Sequence, residues 1–410
     1  MDCYVRRAVK VPDSRLFVSL LRRLPSRCRI SLANLDSFIP EGDAVKKLLV
    51  VIILLSLSAT WGFAQAAKTR LAIVGLDHDH VWGLIPTIAK TPGAELVAIA
   101  EPNPELVAKA KAKVPASVKF FTNYVAMLNV AKPEAVIVTT ANNRHLEILQ
   151  ACAQRHIHFF TEKPMAATGA DARNMLQLAS QANIKLMVNY WNAWAPASQE
   201  AYRRVEAGEL GPIQKMIVEY GHQGPKEIGV SKQFADWLYD PEKNGAGALM
   251  DFACYGADWA LWVKGRPQRV YAYSLKLKTE QHNNVEDDAV VLLQYADATA
   301  ILLPSWDWPY DKGQAEFFGP KGSFLVMGDG LLFHPAHKGT TIKEPAGAPV
   351  VTAPLPAERS NGIAYFLDCI RNHKPIVGPV AAELNVQVNE IIDAAKESIR
   401  TGRAVALPAK

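Results

Sequence analysis

The feature that most constrains this chain is the stretch from Ala135 to Ala167, which alternates a strand, a helix and a second strand. An apolar run at 135–139 predicts a buried parallel strand, and the apolar positions within 145–155 recur at helical spacing. A second apolar run at 156–160 completes a βαβ unit, which is right-handed in nearly all proteins. The chain is therefore predicted to build a parallel sheet covered by helices.

Two polar clusters follow the two strands of this unit. Thr140, Asn142 and His145 follow the first strand, and Glu162 and Lys163 follow the second. In open α/β sheets, ligands bind beyond the carboxyl ends of the strands. These five side chains are therefore predicted to surround one ligand.

An earlier segment has the order of a dinucleotide-binding fold. A strand at 69–75 is followed by a helix from Val81 that ends before Thr91, and by a strand at 94–100 that leads into Glu101. A carboxylate about 20 residues or more after the glycine turn is positioned to accept both ribose hydroxyls of NAD. It would repel the additional phosphate of NADP, so NAD is favoured over NADP. The alternative is a solvated glutamate at a strand end.

The turn between the first strand and its helix departs from the G-x-G-x-x-G motif. It reads Gly75-Leu76-Asp77-His78-Asp79-His80, so Asp77 and His80 replace the second and third glycines. The second glycine lets the backbone approach the diphosphate closely, so this loop is expected to weaken NAD binding. A metal site at His78 and His80 is the alternative. We predict no metal, because no further ligand lies nearby in the sequence.

These motifs together resemble one family. The loop TTANNRH and the string TEKP, placed one crossover apart, are similar to the glucose–fructose oxidoreductase, inositol dehydrogenase and MocA family, over roughly Lys68 to the C-terminus. The resemblance implies a Rossmann domain that carries a nicotinamide cofactor, with Lys163 at the reacting carbon. The cofactor-binding residues that it implies are Gly75, Leu76, Asp77, His78, Glu101, Thr140, Asn142, His145, Glu162 and Lys163.

A second cluster begins a helix in the later part of the chain. Asp251 and Tyr255 are four residues apart and share one helix face. The family pattern G-G-G-x-x-x-D-x-G-x-H has a proton-accepting His where this chain has Tyr255, and the glucose–fructose oxidoreductase and dihydrodiol dehydrogenase branches also have Tyr there. The resemblance implies that Tyr255 is the base, with its pKa lowered by Lys163, and that Asp251 orients the site. The alternative is a structural Asp251 and a core Tyr255.

The remainder of the chain predicts a second domain of another kind. Runs beginning near 213, 269, 288 and 299 alternate apolar and polar residues, which is typical of an antiparallel sheet with one open face. The predicted class is α/β, with an N-terminal Rossmann dinucleotide-binding domain at 67–189. An α+β domain with a large, mainly antiparallel sheet follows at 190–410, and its C-terminal helices pack back on the first domain. The open sheet face predicts a homo-oligomer.

An aromatic and amide cluster, YWNAW at 190–194, lies just after the last Rossmann strand. Aromatic faces stack on the C–H faces of sugars while amides bind hydroxyl groups. Trp191 and Asn192 are therefore predicted to contact a carbohydrate-like substrate. The alternative is an aromatic hinge between the domains.

The N-terminal 66 residues are interpreted as a leader. Residues 1–64 hold 10 of the 45 Lys and Arg and 5 of the 40 Asp and Glu, which leaves 35 of each for the rest of the chain. A neutral body argues against nucleic-acid binding. Lys46-Lys47 and the short apolar run 48–57 predict a signal peptide and a periplasmic or secreted protein. Contact with a membrane is expected only through this leader, and an N-terminal membrane anchor is the alternative.

The function predicted from these features is an exported NAD(P)-dependent oxidoreductase that acts on the CH–OH group of a sugar, cyclitol or glycoside. Two alternatives remain. One is a redox-neutral NAD-dependent enzyme that cleaves a glycoside through a transient ketone, which would have the same motifs. The other is a non-catalytic nucleotide- or sugar-binding protein, as the altered glycine loop suggests.

Overall fold

The computed structural model describes residues 67–280, 284–337, 339 and 346–408. The predicted leader and its apolar run 48–57 lie outside the described residues. None of the helices within the described ranges has the length and hydropathy needed to cross a membrane.

The first half forms a six-stranded, wholly parallel sheet in the order β3-β2-β1-β4-β5-β6. Its strands are β1 Thr69–Val74, β2 Ala94–Ala100, β3 Lys119–Phe121, β4 Ala135–Val138, β5 His158–Glu162 and β6 Leu186–Asn189. Its helices are α1 Val81–Lys90, α2 Pro104–Lys111, α3 Tyr124–Ala131, α4 His145–Ala153 and α5 Gly169–Gln181. The strand order reverses direction between β1 and β4, and the loops after these strands are where ligands bind in such sheets.

The strand β5 lies two residues later than the sequence predicts. His156 adopts a positive φ of 54°, and its turn delays the strand until His158. The strand therefore extends through Glu162. Lys163 is consequently the first residue beyond the carboxyl end of β5.

The second half forms a nine-stranded sheet in the order β14-β13-β12-β11-β7-β10-β9-β8-β15. Only β7 and β10 pair in parallel among these strands of the described chain, which confirms the predicted mainly antiparallel sheet. The strands are β7 Lys215–Gly221, β8 Arg269–Leu275, β9 Asp288–Gln294, β10 Thr299–Ser305, β11 Lys312–Gly319, β12 Gly322–Met327, β13 Gly330–Pro335, β14 Ala348–Pro349 and β15 Val405–Ala406. The helices are α6 Pro196–Glu206, α7 Lys232–Leu238, α8 Pro241–Asn244, α9 Ala248–Lys264, α10 Gly362–Arg371 and α11 Ala382–Thr401.

Helices cover one face of the large sheet and leave the other open. Val270 and Ala272 of β8 are buried beneath α11, where Ser398 Oγ accepts the Ala272 N–H at 2.9 Å. Tyr271 and Tyr273 point to the opposite face and are exposed. This alternation is the period of two expected for a strand with one buried face.

The last long helix joins the two halves. Asn389 of α11 donates a hydrogen bond from Nδ2 to the carbonyl of Ala166 at 2.6 Å. Asp393 accepts the N–H of Gly169, at the start of α5, at 2.7 Å. The C-terminal helix therefore packs against the Rossmann half and fixes the cleft between the two sheets.

Candidate active site

A buried ion pair joins the two halves of the protein at the bottom of this cleft. Lys163, just beyond β5, donates from Nζ to Oδ1 and to the backbone carbonyl of Asp251, in the first turn of α9. The bond to the carbonyl is 3.0 Å long. Trp306 donates from Nε1 to the other oxygen of Asp251 at 3.0 Å. Every oxygen of the Asp251 side chain is thus engaged.

Both partners of this pair are charged. Burial alone would lower the pKa of Lys163, but the charge and hydrogen bond of Asp251, together with Cys254 and Glu162, raise that pKa above its usual value. Burial alone would raise the pKa of Asp251, and the Lys163 ammonium holds it below its usual value. The cleft therefore contains a fixed ammonium group, whose charge is balanced by the carboxylate of Asp251.

Tyr255 lies next to the ammonium but presents the face of its ring. Lys163 Nζ is 5.1 Å from the centre of the Tyr255 ring, which stacks on Tyr220 at 4.7 Å and meets Tyr190 edge-on at 5.3 Å. The expected lowering of the Tyr255 pKa is wrong for this conformation, because burial raises the pKa well above 10. The charge of Lys163 is already compensated by Asp251, so the phenol is protonated at neutral pH.

A cavity of about 760 Å³ opens above Tyr255. Its wall includes Trp191, which follows β6, together with Tyr220, His222 and Phe252. The volume is in the range of small-molecule sites, and aromatic walls with a few polar groups suit a sugar. The predicted placement of Trp191 at a small-molecule pocket thus agrees with the geometry.

His222 is a polar residue on this wall that sequence reasoning missed. Its Nδ1 accepts the N–H of Gly224 at 3.0 Å, and burial lowers its pKa. The neutral ring therefore carries its proton on Nε2, so it offers a hydrogen-bond donor. The only signal in the sequence is its position directly after an alternating strand that ends at Gly221.

Asn192 does not lie on the cavity wall, which corrects the sequence prediction. The short helical turn Trp191–Trp194 directs Asn192 inward, where its side chain is buried. Its polar neighbour is Asp258, and burial raises the pKa of that carboxyl well above its usual value. Asn192 therefore belongs to a buried polar cluster beneath Tyr255.

The glycine turn after β1 retains part of a dinucleotide site. Gly75 has a φ of 82°, and a Cβ there would lie 2.3 Å from Cγ2 of Thr140, so only glycine fits. Glu101 accepts the N–H of Leu76 through Oε2 and that of Asn103 through Oε1, both at 2.7 Å. These contacts hold Glu101, at the end of β2, against the glycine turn. In dinucleotide-binding folds the carboxylate at this position binds the ribose and the turn binds the diphosphate.

The other predicted cofactor residues bind protein groups. His145 is buried between the carbonyls of Met165 and Thr140, at 3.0 and 3.2 Å. Asn142 donates from Nδ2 to the side-chain oxygen of Asn244, in α8, at 2.8 Å. In this conformation these side chains therefore stabilise the loop after β4 and fix α8 to it.

Helix α7 covers the second half of the altered loop. Trp237 donates from Nε1 to the Asp77 carbonyl at 3.2 Å, and Phe234 stacks on His78 with ring centres 4.3 Å apart. Burial, followed by the charge of Glu101, raises the pKa of Asp77 to about 6. The first half of the loop fits a dinucleotide, whereas its second half is covered by side chains from the other domain.

Comparison with known proteins agrees with this architecture. Residues 69–190 match the model of the oxidoreductase family with an NAD-binding Rossmann fold, and residues 198–325 match the GFO/IDH/MocA C-terminal domain. A scyllo-inositol 2-dehydrogenase (NAD(+)) of Bacillus subtilis is 25% identical over 84% of this chain and 97% of its own. D-apiose dehydrogenase of Paraburkholderia graminis is 24% identical over 86% and 92%.

Solved structures show the same relationship. The aldose-aldose oxidoreductase from Caulobacter crescentus is 26% identical, with a TM-score of 0.70 over 83% of this chain and all of its own. A levoglucosan dehydrogenase structure, 22% identical with a TM-score of 0.70, shares the fold. Both family models match in the order that the two sheets follow along the chain. The chain therefore belongs to the Gfo/Idh/MocA family of NAD(P)-dependent oxidoreductases.

Proposed function

We propose that this enzyme interconverts a secondary alcohol and a carbonyl group on a sugar or cyclitol. The observation that carries the proposal is the buried Lys163 ammonium, held by Asp251 beside Tyr255 at an aromatic cavity. The names of its relatives, which include scyllo-inositol and D-apiose dehydrogenases, support the same substrate class.

The nicotinamide, when bound, supplies or accepts the hydride, and this chain holds the rest of the cofactor. The turn at Gly75 and the carboxylate of Glu101 are the groups we assign to it. Glu101 supports a preference for NAD, since a carboxylate repels the additional phosphate of NADP. Relatives include both an NAD(+) and an NADP(+) form of scyllo-inositol 2-dehydrogenase, so the preference requires measurement of both affinities.

The reacting oxygen of the substrate binds beside Lys163 in this proposal. The ammonium stabilises negative charge on that oxygen, and Asp251 keeps the lysine charged. Because burial raises the pKa of Tyr255, its phenol is suited to donate a proton to the oxygen of a carbonyl substrate. His222 donates a hydrogen bond to another oxygen. Tyr255 is therefore suited to be the proton donor for carbonyl reduction at neutral pH, and alcohol oxidation should accelerate as the pH rises.

The test is turnover of a panel of ketoses, aldoses and inososes with NADH, and of cyclitols with NAD⁺. We expect Tyr255→Phe to lower kcat by about 100-fold or more, the usual contribution of a positioned proton donor. Tyr202→Phe is the matched control, because this tyrosine lies on α6, outside the cavity, where its hydroxyl donates to Glu206 at 3.1 Å. A wild-type kcat in Tyr255→Phe would contradict the proposal.

The same assay separates the two alternatives. Product formation from a glycoside without net NADH would support the redox-neutral enzyme. Sugar binding that is unchanged in Lys163→Met, without turnover of any substrate in the wild type, would support a non-catalytic binding protein. Both alternatives use the same cavity, so the measured products and the net change in NADH distinguish them.

We also propose that the enzyme is a homo-oligomer. The open face of the nine-stranded sheet carries exposed Tyr271, Tyr273 and Leu275 on one strand, and a second copy of the same face would cover them. Light scattering of the purified chain tests this, and Tyr273→Lys should favour the monomer. A monomeric wild type would overturn the proposal.

Export is a further proposal, which rests on the sequence of residues 1–66 alone. Fractionation of the native host with an antibody to the folded part tests it. We expect the protein in the periplasm or medium, shortened at its N-terminus. Full-length protein in the cytosol would contradict export.

A further inference from the structure

Two histidines and a glutamate from different parts of the chain meet beside the glycine turn. His78 and His80 belong to the loop after β1, and Glu162 is the last residue of β5. One ligand atom from each lies within 4.8 Å of the others. The sequence suggests the two histidines as ligands but gives no third one, because Glu162 is 82 residues from His80; the expectation of no metal rested on that gap.

The geometry points to a site for a divalent transition metal of the zinc class, bound by His78, His80 and Glu162, and we propose that the protein binds one such ion there. Ligand atoms about 2.0–2.2 Å from a tetrahedral zinc ion lie about 3.4 Å from each other. His80 Nδ1 and Glu162 Oε2 are 2.9 Å apart. An ion that replaces the proton between His80 Nδ1 and Glu162 Oε2 would therefore move these two atoms apart by about half an ångström. The ring of His78 would move toward the ion.

Surrounding groups hold two of the ligands in position. Asn189 donates from Nδ2 to Oε1 of Glu162 at 2.7 Å, which leaves Oε2 for the ion. His78 stacks on Phe234 with ring centres 4.3 Å apart, and its centre is 4.3 Å from that of His80. In metalloproteins, contacts of this kind between a metal ligand and its neighbours orient the ligand and increase metal affinity.

The charges around the cluster also favour a cation. Glu162 supplies one negative charge, and the ammonium of the adjacent Lys163 is compensated by Asp251. The two oxygens of Asp79 accept hydrogen bonds from Ser231 and Trp82, so we do not include Asp79 among the ligands. The side chain of His80 is 29% exposed, which leaves a path for the ion and a fourth position for water or another ligand. Two nitrogens, one oxygen and an open position are typical of a catalytic zinc site.

The alternative is an ordinary hydrogen-bonded pair of His80 and Glu162 beside a core histidine. Metal binding distinguishes the two directly. The full-length protein, stripped with chelator, is titrated with cobalt(II) chloride in the absence of nucleotide, and the visible d–d absorption and the metal content are measured. We expect about one Co²⁺ per chain, displaced by zinc chloride, with the intense absorption of a four-coordinate ion.

Two variants and one control define the site. His80→Ala and Glu162→Gln should each lower metal affinity at least tenfold, as expected for loss of one of three ligands. His337→Ala, which removes an exposed imidazole elsewhere, should bind as the wild type does. Where one variant does not fold, the other variant and His337→Ala decide whether the ion is bound at this cluster. A wild type without stoichiometric Co²⁺, or variants with unchanged affinity, would overturn the proposal. Because no nucleotide or sugar is present, the result does not depend on the proposed reaction.

Discussion

The central residues of the cleft, Lys163 and Asp251, form a buried pair of opposite charges. Asp251 is the main group that keeps Lys163 charged, and Trp306 in turn fixes Asp251. The breaking of a buried ion pair is strongly unfavourable, since one charge then remains uncompensated. Each substitution here is therefore expected to affect stability as well as activity.

The Asp251→Asn variant tests this dependence. It should reduce the free energy of unfolding by about 3–5 kcal/mol, because the Lys163 ammonium loses its counter-charge, and it should also lower kcat. Urea denaturation followed by fluorescence measures the first effect. The double variant Lys163→Met/Asp251→Leu should be more stable than Asp251→Asn. Equal stabilities of wild type and Asp251→Asn would contradict the expected cost of leaving the Lys163 ammonium without its counter-charge.

Asp258 predicts a pH dependence of stability. Burial raises its pKa in the folded state, so the folded protein retains a proton that the unfolded chain releases above about pH 4. Its contribution to stability is greatest below that pH and is lost as the pH rises toward the folded pKa. Relative to Asp258→Asn, the wild type should lose stability as the pH rises above about 4, by at most about 1.4 kcal/mol per pH unit. A stability difference that does not change as the pH is raised from about 4 would contradict a raised pKa of Asp258 in the folded protein.

At the scale of elements, local patterns predicted most of the Rossmann half. The helix predicted from Val81 to the residue before Thr91 is found at Val81–Lys90, and the strand predicted at 94–100 is found at Ala94–Ala100. Both succeed because apolar periodicity and the Thr-Pro-Gly stop are local signals.

Long-range contacts explain what the sequence did not predict. Helix α7 has only seven residues, Lys232–Leu238, and its pattern gives no sign that Phe234 and Trp237 pack on a loop about 160 residues earlier. Likewise, the proximity of Lys163 to Tyr255 was predictable from the family motifs, but the orientation of the Tyr255 ring was not. That orientation depends on Tyr190 and Tyr220, which come from two other elements.

The contact of α7 with the altered loop leads to a prediction for dinucleotide binding. Trp237 donates to the Asp77 carbonyl and covers the loop, so we expect α7 to compete with a bound diphosphate. Trp237→Ala should therefore bind NAD⁺ more tightly than the wild type while its Tm falls. Isothermal titration calorimetry measures the affinity, with Trp262→Ala as the control, since Trp262 stacks on Tyr202 of α6. Weaker NAD⁺ binding in Trp237→Ala would instead make Trp237 a direct contact of the cofactor.

At the scale of the whole molecule, the two sheets share their stability. The helix α11 packs against the large sheet and also against α5 of the Rossmann half. The Lys163–Asp251 pair provides a second connection at the cleft. Elements that share a buried interface of this kind are expected to unfold together.

The connection made by Asn389 allows this cooperativity to be measured. Asn389→Ala removes the donor to the Ala166 carbonyl, and a buried carbonyl without a partner costs about 1–3 kcal/mol. We expect one unfolding transition in urea for the wild type, with coincident circular dichroism and tryptophan fluorescence curves, and the same single transition at lower urea for the variant. Asn372→Ala, which changes an exposed residue at the end of α10, should leave the midpoint within experimental error. Separate transitions for the two probes, with only one shifted by Asn389→Ala, would show that the two halves unfold independently and that α11 stabilises just one of them.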